Sequence, residues 1–461
     1  MLRILFGVVW RLVLLLLLLT SLLIGFVLGS ESGLRGALHV VDRVLPGAIR
    51  YKAIDGAFFN ALTIQGLEVR FGAFQLDLGR FEWAWQPTAL FSRHLLIERL
   101  HATDINLVLP PAEPTADSDE PLQLPELALP LDISLLDMQV EKFTLRQPDQ
   151  TPVFVLNQLS AALHTEQDKL LLDRLALELP QLQASADGQL IPQHDYPLTL
   201  TLDWQYNHPQ FGDFSGQGTL TGELSRQIKL NHALDGALTA QLNATVEQPL
   251  LAPSWTLSLT ANSQDLGLFV PDLAATPMAL ELHSKGQLTD FSATGELQST
   301  IPQFGPLQAN FELSGTPQNL HLQTLHLQAT EQPLKFDLAA EVDLASQAVK
   351  ANGSWQALSW PPGSDTPQIA SPSGSLNVTG TLDDFRADLQ TALSGEQFGA
   401  LELTLKAIGS QQELRQLQLT LNEPDGELEF NLNGSAQLAD LSFDTTADWQ
   451  QLRWPLTAAN Y

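Results

Sequence analysis

The sequence predicts a mainly β protein: an N-terminal transmembrane helix followed by an elongated, curled, repetitive antiparallel β-sheet with an apolar groove. Three observations carry that reading. From Leu12 to Gly29 no residue is charged, and most are Leu. From Ile49 onward apolar and polar residues alternate in short runs, the period-two pattern of half-buried strands. Gly, Asn, Asp and Pro punctuate those runs about every eight to twelve residues, as antiparallel meanders require.

The first element is the apolar stretch. Leu12 to Leu28 spans 17 residues, or about 26 Å at the helical rise, against a hydrocarbon core of about 30 Å. Leu12, Leu16, Leu19, Leu23, Phe26 and Leu28 are the anchor residues this assigns. Val8, Val9 and Trp10 lengthen the span if Arg11 snorkels to the interface. Arg3 and Arg11 precede it and Glu31 is the first charge after it, so the positive-inside rule keeps the N-terminus in the cytoplasm and exports the rest. The alternative is a cleaved signal peptide ending near Val27-Leu28-Gly29. The apolar run is longer than the roughly 7–15 residues of such a segment, which favours an uncleaved anchor over residues 1–30. Either reading exports residues 31–461.

Composition agrees. The net charge of −29 opposes binding to nucleic acid, which needs a basic footprint, and favours solubility. The chain has no Cys, hence no disulfide and no thiolate metal site.

Residues 31–109 read as an α+β region. Leu34, Leu38, Val41 and Leu45 have helical spacing over Gly33–Leu45, and Pro46-Gly47 stops the helix. Strands follow at Leu62–Phe71, Phe74–Leu78 and Phe81–Trp85. Pro87–Arg93 reads as a turn or short helix, and Leu95–Leu109 as two more strands. Residues 110–126 are acidic and Pro-rich, a solvated loop with no assigned function. Residues 127–461 are alternating strands, among them Leu198-Leu200-Leu202, Phe336-Leu338, Leu401-Leu403-Leu405 and Leu428-Phe430-Leu432.

This last region repeats. Gly286–Gly295 (GQLTDFSATG) resembles Gly380–Leu389 (GTLDDFRADL) at an offset of 94 residues. The offset holds without a gap through Phe336-Asp337-Leu338 against Phe430-Asn431-Leu432, and Trp355 to Pro361 against Trp449 to Pro455. The copies are thus about 286–361 and 380–455, and fixed-period self-similarity implies a quasi-one-dimensional array. Six residues follow Pro455, fewer than a cap needs, so a chain continuing beyond Tyr461 is expected.

No helical layer is at hand to cover the Leu- and Phe-rich face. A closed barrel, a sheet-on-sheet sandwich or a long sheet curled into a trough would each accommodate it. Periodicity alone does not separate these, and a dry core is the ordinary outcome for alternating strands. A repeat favours elongation. In a trough, Leu198, Leu200, Leu202, Phe336, Leu338, Leu401, Leu403, Leu405, Leu428, Phe430 and Leu432 would line an apolar groove for lipid.

The order of these features resembles one family: the apolar anchor, the helix ending at Pro46-Gly47, Asp55-Gly56 before the strands Leu62–Phe71, Leu131-Asp132-Ile133 leading to Phe143-Thr144-Leu145, and the recurring Trp-x-x-x-x-Trp-Pro. It is similar to the N-terminal part of the TamB family, inner-membrane subunits of the translocation and assembly module within the AsmA-like group. The resemblance implies a single-pass inner-membrane anchor, a periplasmic β-taco, and phospholipid movement between inner and outer membranes. It also implies the outer-membrane barrel partner TamA, reached through a C-terminal part that this chain lacks, and a role in assembling autotransporters and other outer-membrane proteins.

No catalytic constellation, cofactor motif or metal motif stands out. His321 and His326 lack a nearby acidic cluster in sequence and read as a solvated pair. Asp383-Asp384 reads as a turn. The Trp pairs Trp83/Trp85, Trp355/Trp360 and Trp449/Trp454 read as core or edge residues more readily than as a groove rim. Two functions follow: a lipid conduit, or a protein-assembly scaffold that adds a strand to an unfolded client.

Overall fold

The computed structural model describes residues 25–109, 131–263, 265, 267, 276–301, 304–362, 366–424, 426–438 and 442–452. The assigned anchor positions Leu12, Leu16, Leu19 and Leu23 lie outside these residues, as do residues 110–126 and the Trp454-Pro455 pair. No helix among the described residues is long and apolar enough to cross a membrane. Residues 25–29 are helical, with Phe26 55% exposed. The chain divides into two compact units, Met1–Lys229 and Leu230–Tyr461.

Unit 1 opens with α1 (Glu31–Val44). Ser30 caps it: the backbone there is extended and its hydroxyl accepts from the Gly33 N–H at 3.0 Å. Glu31 in the first turn and Arg43 in the last complement the helix dipole, and Glu31 also pairs with Arg35 at 2.6 Å. Asp42 closes the C-terminal end by accepting from the Gly47 N–H. The Arg35 guanidinium donates to the Ile54 carbonyl at 2.8 Å, holding α1 beside the first strands.

Those strands are β1 (Ile49–Arg50), β2 (Ala53–Gly56), β3 (Ala61–Phe71) and β4 (Phe74–Gln86). A 3₁₀ turn (Pro87–Ser92) leads to β5 (His94–Val108). Then come β6 (Asp132–Arg146), β7 (Pro152–Glu166), β8 (Lys169–Glu178), β9 (Leu182–Leu190), β10 (Pro197–His208) and β11 (Gly212–Glu223). β1 and β2 both pair with β3, and α1 packs on both, so a helix covers this edge of the sheet.

Three features differ from the sequence reading. β4 and β5 are single strands, where two each were expected. Gly79 lies opposite Asp104 with the β4–β5 register unchanged on either side, so β4 runs through its glycine; the register shift of this pair lies between Ala84 and Trp85, where Glu98 of β5 is the extra residue. The sheet is not wholly antiparallel, because β5 and β6 pair in parallel. Parallel neighbours need a connection of a dozen or more residues, and 23 separate Val108 from Asp132. The acidic, Pro-rich segment falls in that crossover.

The division at residue 229 falls within β12 (Gln227–Asp235). Unit 2 continues with β13 (Leu238–Glu247), β14 (Ser254–Ser263), β15 (Met278–Gln287), β16 (Phe291–Ile301), β17 (Gly305–Gly315), β18 (Asn319–Ala329) and β19 (Lys335–Asp343). It ends with β20 (Ala348–Trp360), β21 (Ile369–Gly380), β22 (Phe385–Gly395), β23 (Gly399–Gly409), β24 (Glu413–Asn422), β25 (Glu429–Gln437) and β26 (Ser442–Gln450). From β13 to β26 each strand pairs antiparallel with the next.

Unit 2 has a 94-residue translation in its geometry. β16, β17 and β19 begin and end 94 residues before β22, β23 and β25. The turn bond Thr316 N–H to Asn319 carbonyl recurs as Ser410 N–H to Glu413 carbonyl. Phe336 opposes Trp355 as Phe430 opposes Trp449. Buried apolar side chains gather in two small clusters, Leu307 with Leu334 and Phe304, and Leu401 with Leu428 and Phe398. Each of these three positions is again displaced by 94 residues.

Candidate functional site

Cross-strand partners point to the same face of a sheet, so register decides what a face looks like across many strands. In unit 2 one row begins Leu242, Leu259, Leu282, Gly295, Phe311, Leu325 and Leu338 across β13–β19. It continues Gly353, Leu376, Leu389, Leu405, Leu419, Leu432 and Ala447 across β20–β26. All fourteen strands contribute, with no polar side chain. At a strand spacing of about 4.8 Å the row is roughly 60 Å long, about twice a bilayer's hydrocarbon core. Two residues along each strand is a second row. It holds Phe336, Trp355, Leu403, Leu421, Phe430 and Trp449, with one polar member, Thr391. The hydroxyls of Thr391 and Ser371 bond at 2.7 Å, and Ser371 accepts from the Trp355 indole, so that polar spot is satisfied.

Unit 1 carries its own row: Leu62, Trp83, Leu100, Met138, Ala161, Leu175, Ala186, Leu202 and Gly218 across β3–β11. It passes through the parallel β5–β6 pair at Leu100 and Met138.

The groove candidates fall into two groups. Leu200, Leu202, Phe336, Leu338, Leu403, Leu405, Phe430 and Leu432 are all half-buried. Leu198, Leu401 and Leu428 are buried, at 5–6% exposure. They sit toward strand ends, and Leu428 precedes β25. A sealed core would exclude water from the first group, and a wet face would expose it. Half-burial along an unbroken row describes an apolar surface shaded by its neighbours but not sealed from solvent. A pocket of about 370 Å³ across β7–β11 has a mixed lining, with Gln158, Glu178, Gln183 and Asp203 beside Leu177 and Trp204.

Among the described residues several polar side chains pair across neighbouring strands. His321 and His326 each meet an acid from β19, His321 facing Glu341 at 3.6 Å and His326 bonding Asp337. His101 meets Asp137 at 2.7 Å. Partial desolvation pushes the Asp137 carboxyl up, but hydrogen bonds from His101 and Gln139 and the charges of His101 and Arg174 outweigh it, leaving it below the ordinary carboxylate value. Asp384 lies in the turn between β21 and β22 and pairs with Arg415. Trp83 and Trp85 both donate to the Phe58 carbonyl, at 3.2 and 2.6 Å, and Phe58 stacks on Trp83. Among the described residues no three His, Asp or Glu converge as a metal site.

Sequentially paired strands with one open apolar face, and polar groups spent on cross-strand pairing, define a β-sheet scaffold that offers a surface. The chain belongs to the TamB family: the family described as "TamB, N-terminal domain" matches residues 19–123, 112–331 and 328–433. No solved structure matches it.

Proposed function

We propose that this chain is a lipid conduit, a membrane-tethered, non-enzymatic scaffold along whose apolar rows phospholipid acyl chains move between inner and outer membranes. The observation that carries the reading is the fourteen-strand row from Leu242 to Ala447, unbroken by a polar side chain and half-open along most of its length. Residues 1–30 are its single-pass inner-membrane anchor, the bulk of the chain lies in the periplasm, and TamA is the outer-membrane partner. Residues 286–361 and 380–455 are two copies of one unit that lengthens the path. The second reading is assembly of autotransporters and other outer-membrane proteins by strand addition. It is favoured by β26, whose described residues carry neither Lys nor Pro along the edge away from β25.

Leu403→Asp tests the first reading. An unpaired carboxylate in an apolar site costs several kcal/mol or forces neutralisation, so acyl-chain passage should stop. Thr404→Asp is the control, because Thr404 lies on the other face between Gln390 and Thr420. A photocrosslinker at 403 should capture lipid and one at 404 should not, with far-UV circular dichroism unchanged. Crosslinks from 403 to protein side chains alone would mean a closed core and end the conduit reading for this segment.

A further inference from the structure

The helical edge of unit 1 has a side that the strands do not use. α1 packs on β1 and β2, and elsewhere presents Val40 and Val44, 59% and 72% exposed, one turn apart on the same stripe. Leu45, 46% exposed, follows directly. Large apolar side chains this open, gathered on one short helix, mark an interaction surface. Its charge surroundings identify the partner. On the exported side of the anchor, residues 31–99 hold eight basic and seven acidic side chains, a net of +1, while residues 100–461 carry −32. Arg43, Arg50 and Lys52 lie on or just after α1, and none is in an ion pair among the described residues. Three cations outside any ion pair thus stand beside the exposed stretch of α1, in a chain that is otherwise strongly anionic. Phe26, five residues before α1, is also open, at 55%. Aromatic side chains are favoured at the membrane–water boundary.

We propose that α1 is an interfacial helix that docks on an anionic bilayer surface. Val40, Val44 and Leu45 enter the headgroup–acyl boundary, and Arg43, Arg50 and Lys52 face the lipid phosphates. The docking is independent of the conduit reading, since a protein can sit on a membrane without carrying lipid.

The chain has no cysteine, so Val44→Cys and, separately, Val40→Cys give single labelling sites for a polarity-sensitive dye. The full chain is reconstituted in phosphatidylcholine vesicles with or without phosphatidylglycerol. With phosphatidylglycerol, dyes at 40 and 44 should shift to the blue and be quenched by a bilayer-borne quencher. A dye on Val153→Cys, at an exposed position at the start of β7, should stay in water. Adding R43E, R50E and K52E should weaken the partitioning of α1 on the order of 100-fold, and high salt should act in the same direction. Water-like emission from both positions in anionic vesicles would overturn the proposal. So would equal insertion in neutral vesicles, or shielding without vesicles, which would mean a protein partner or a second copy. Lipid transfer is not read in this experiment, so failure of the conduit leaves it intact.

Discussion

In unit 2 every strand from β13 to β26 pairs antiparallel with the next, whereas unit 1 breaks that run with a parallel pair, a helix along one edge and an aromatic cluster around Phe58. The apolar row is the same kind of object in both. It crosses the parallel β5–β6 pair as readily as the antiparallel ones, because a cross-strand partner shares a face whatever the strand direction. Connectivity is therefore variable while the greasy strip is kept. The translation by 94 residues adds length to unit 2, and the irregular elements of unit 1 suit a terminus that must end a sheet and meet something else.

The largest expected effect compares two glycines, one from each unit. In unit 1, Gly188 adopts φ +148°, and a Cβ there would sit 2.1 Å from the Thr199 carbonyl oxygen. Gly188→Ala should cost about 3 kcal/mol, since backbone must shift as well as adopt a strained dihedral. In unit 2, Gly353 is in the apolar row, and a Cβ there would meet nothing closer than 3.7 Å. Gly353→Ala should be neutral or stabilise by about 0.5 kcal/mol. Urea midpoints decide it, and similar losses at both sites would remove the contrast.

A smaller effect tests whether the two copies are interchangeable. Gly295 opposes Phe311, whose ring covers it so closely that a Cβ on Gly295 would sit 2.3 Å from the ring. The positions 94 residues on are Leu389 and Leu405, also opposed. One copy fills the space as nothing plus Phe, the other as Leu plus Leu. Gly295→Leu alone should overpack by about 1–3 kcal/mol, and Phe311→Leu alone should leave a gap costing about 1 kcal/mol. The double variant should lie within about 1 kcal/mol of the starting protein. Simple additivity in this cycle would show that the copies share strand bounds but not packing.

How much of this was readable in the sequence follows from the range over which each signal acts. Capping, Pro-Gly stops and period-two alternation are local, so the helix before Pro46, the turn after Gln86 and the strands of unit 2 were legible. β4 and β5 are each one strand because Gly79 in β4 and Asp104 opposite it in β5, residue types that usually punctuate strands, here stay within the pair. The parallel pair was missed because nothing in a long acidic connection states at which end of the sheet it returns. The acids facing His321 and His326 were invisible, since their partners lie on the next strand and register is not written in either strand alone. For the same reason alternation could nominate Leu403 and Leu432 for a face, but could not show an unbroken row. Nor could it separate Leu401 and Leu428, buried in a strand-end cluster, from their half-open neighbours.

The smallest expected effect concerns the polar face, and it asks whether the parallel pair of unit 1 leans on side chains more than the antiparallel strands of unit 2 do. Parallel pairing is slightly weaker per residue, and His101 on β5 bonds Asp137 on β6 across it. Their side chains are 21% and 35% exposed, against 62% and 53% for His326 and Asp337 in unit 2. The Asp137 carboxyl is held below its unfolded value of 3.8, with hydrogen bonds and cations outweighing desolvation. A depressed carboxylate contributes stability that is present above the unfolded value and lost as pH falls through the folded one. Asp137→Asn should therefore cost about 0.5 kcal/mol near neutral pH, a small figure because solvent screens a partly exposed pair. The difference from the unsubstituted protein should shrink as pH falls below about 4. Asp337→Asn, in the more exposed pair, should cost less at neutral pH. Urea midpoints at several pH values provide the comparison. An equal or greater loss at Asp337 would show that the parallel pair draws no extra support from its side chains, and that its long strands hold it by backbone and apolar contacts alone.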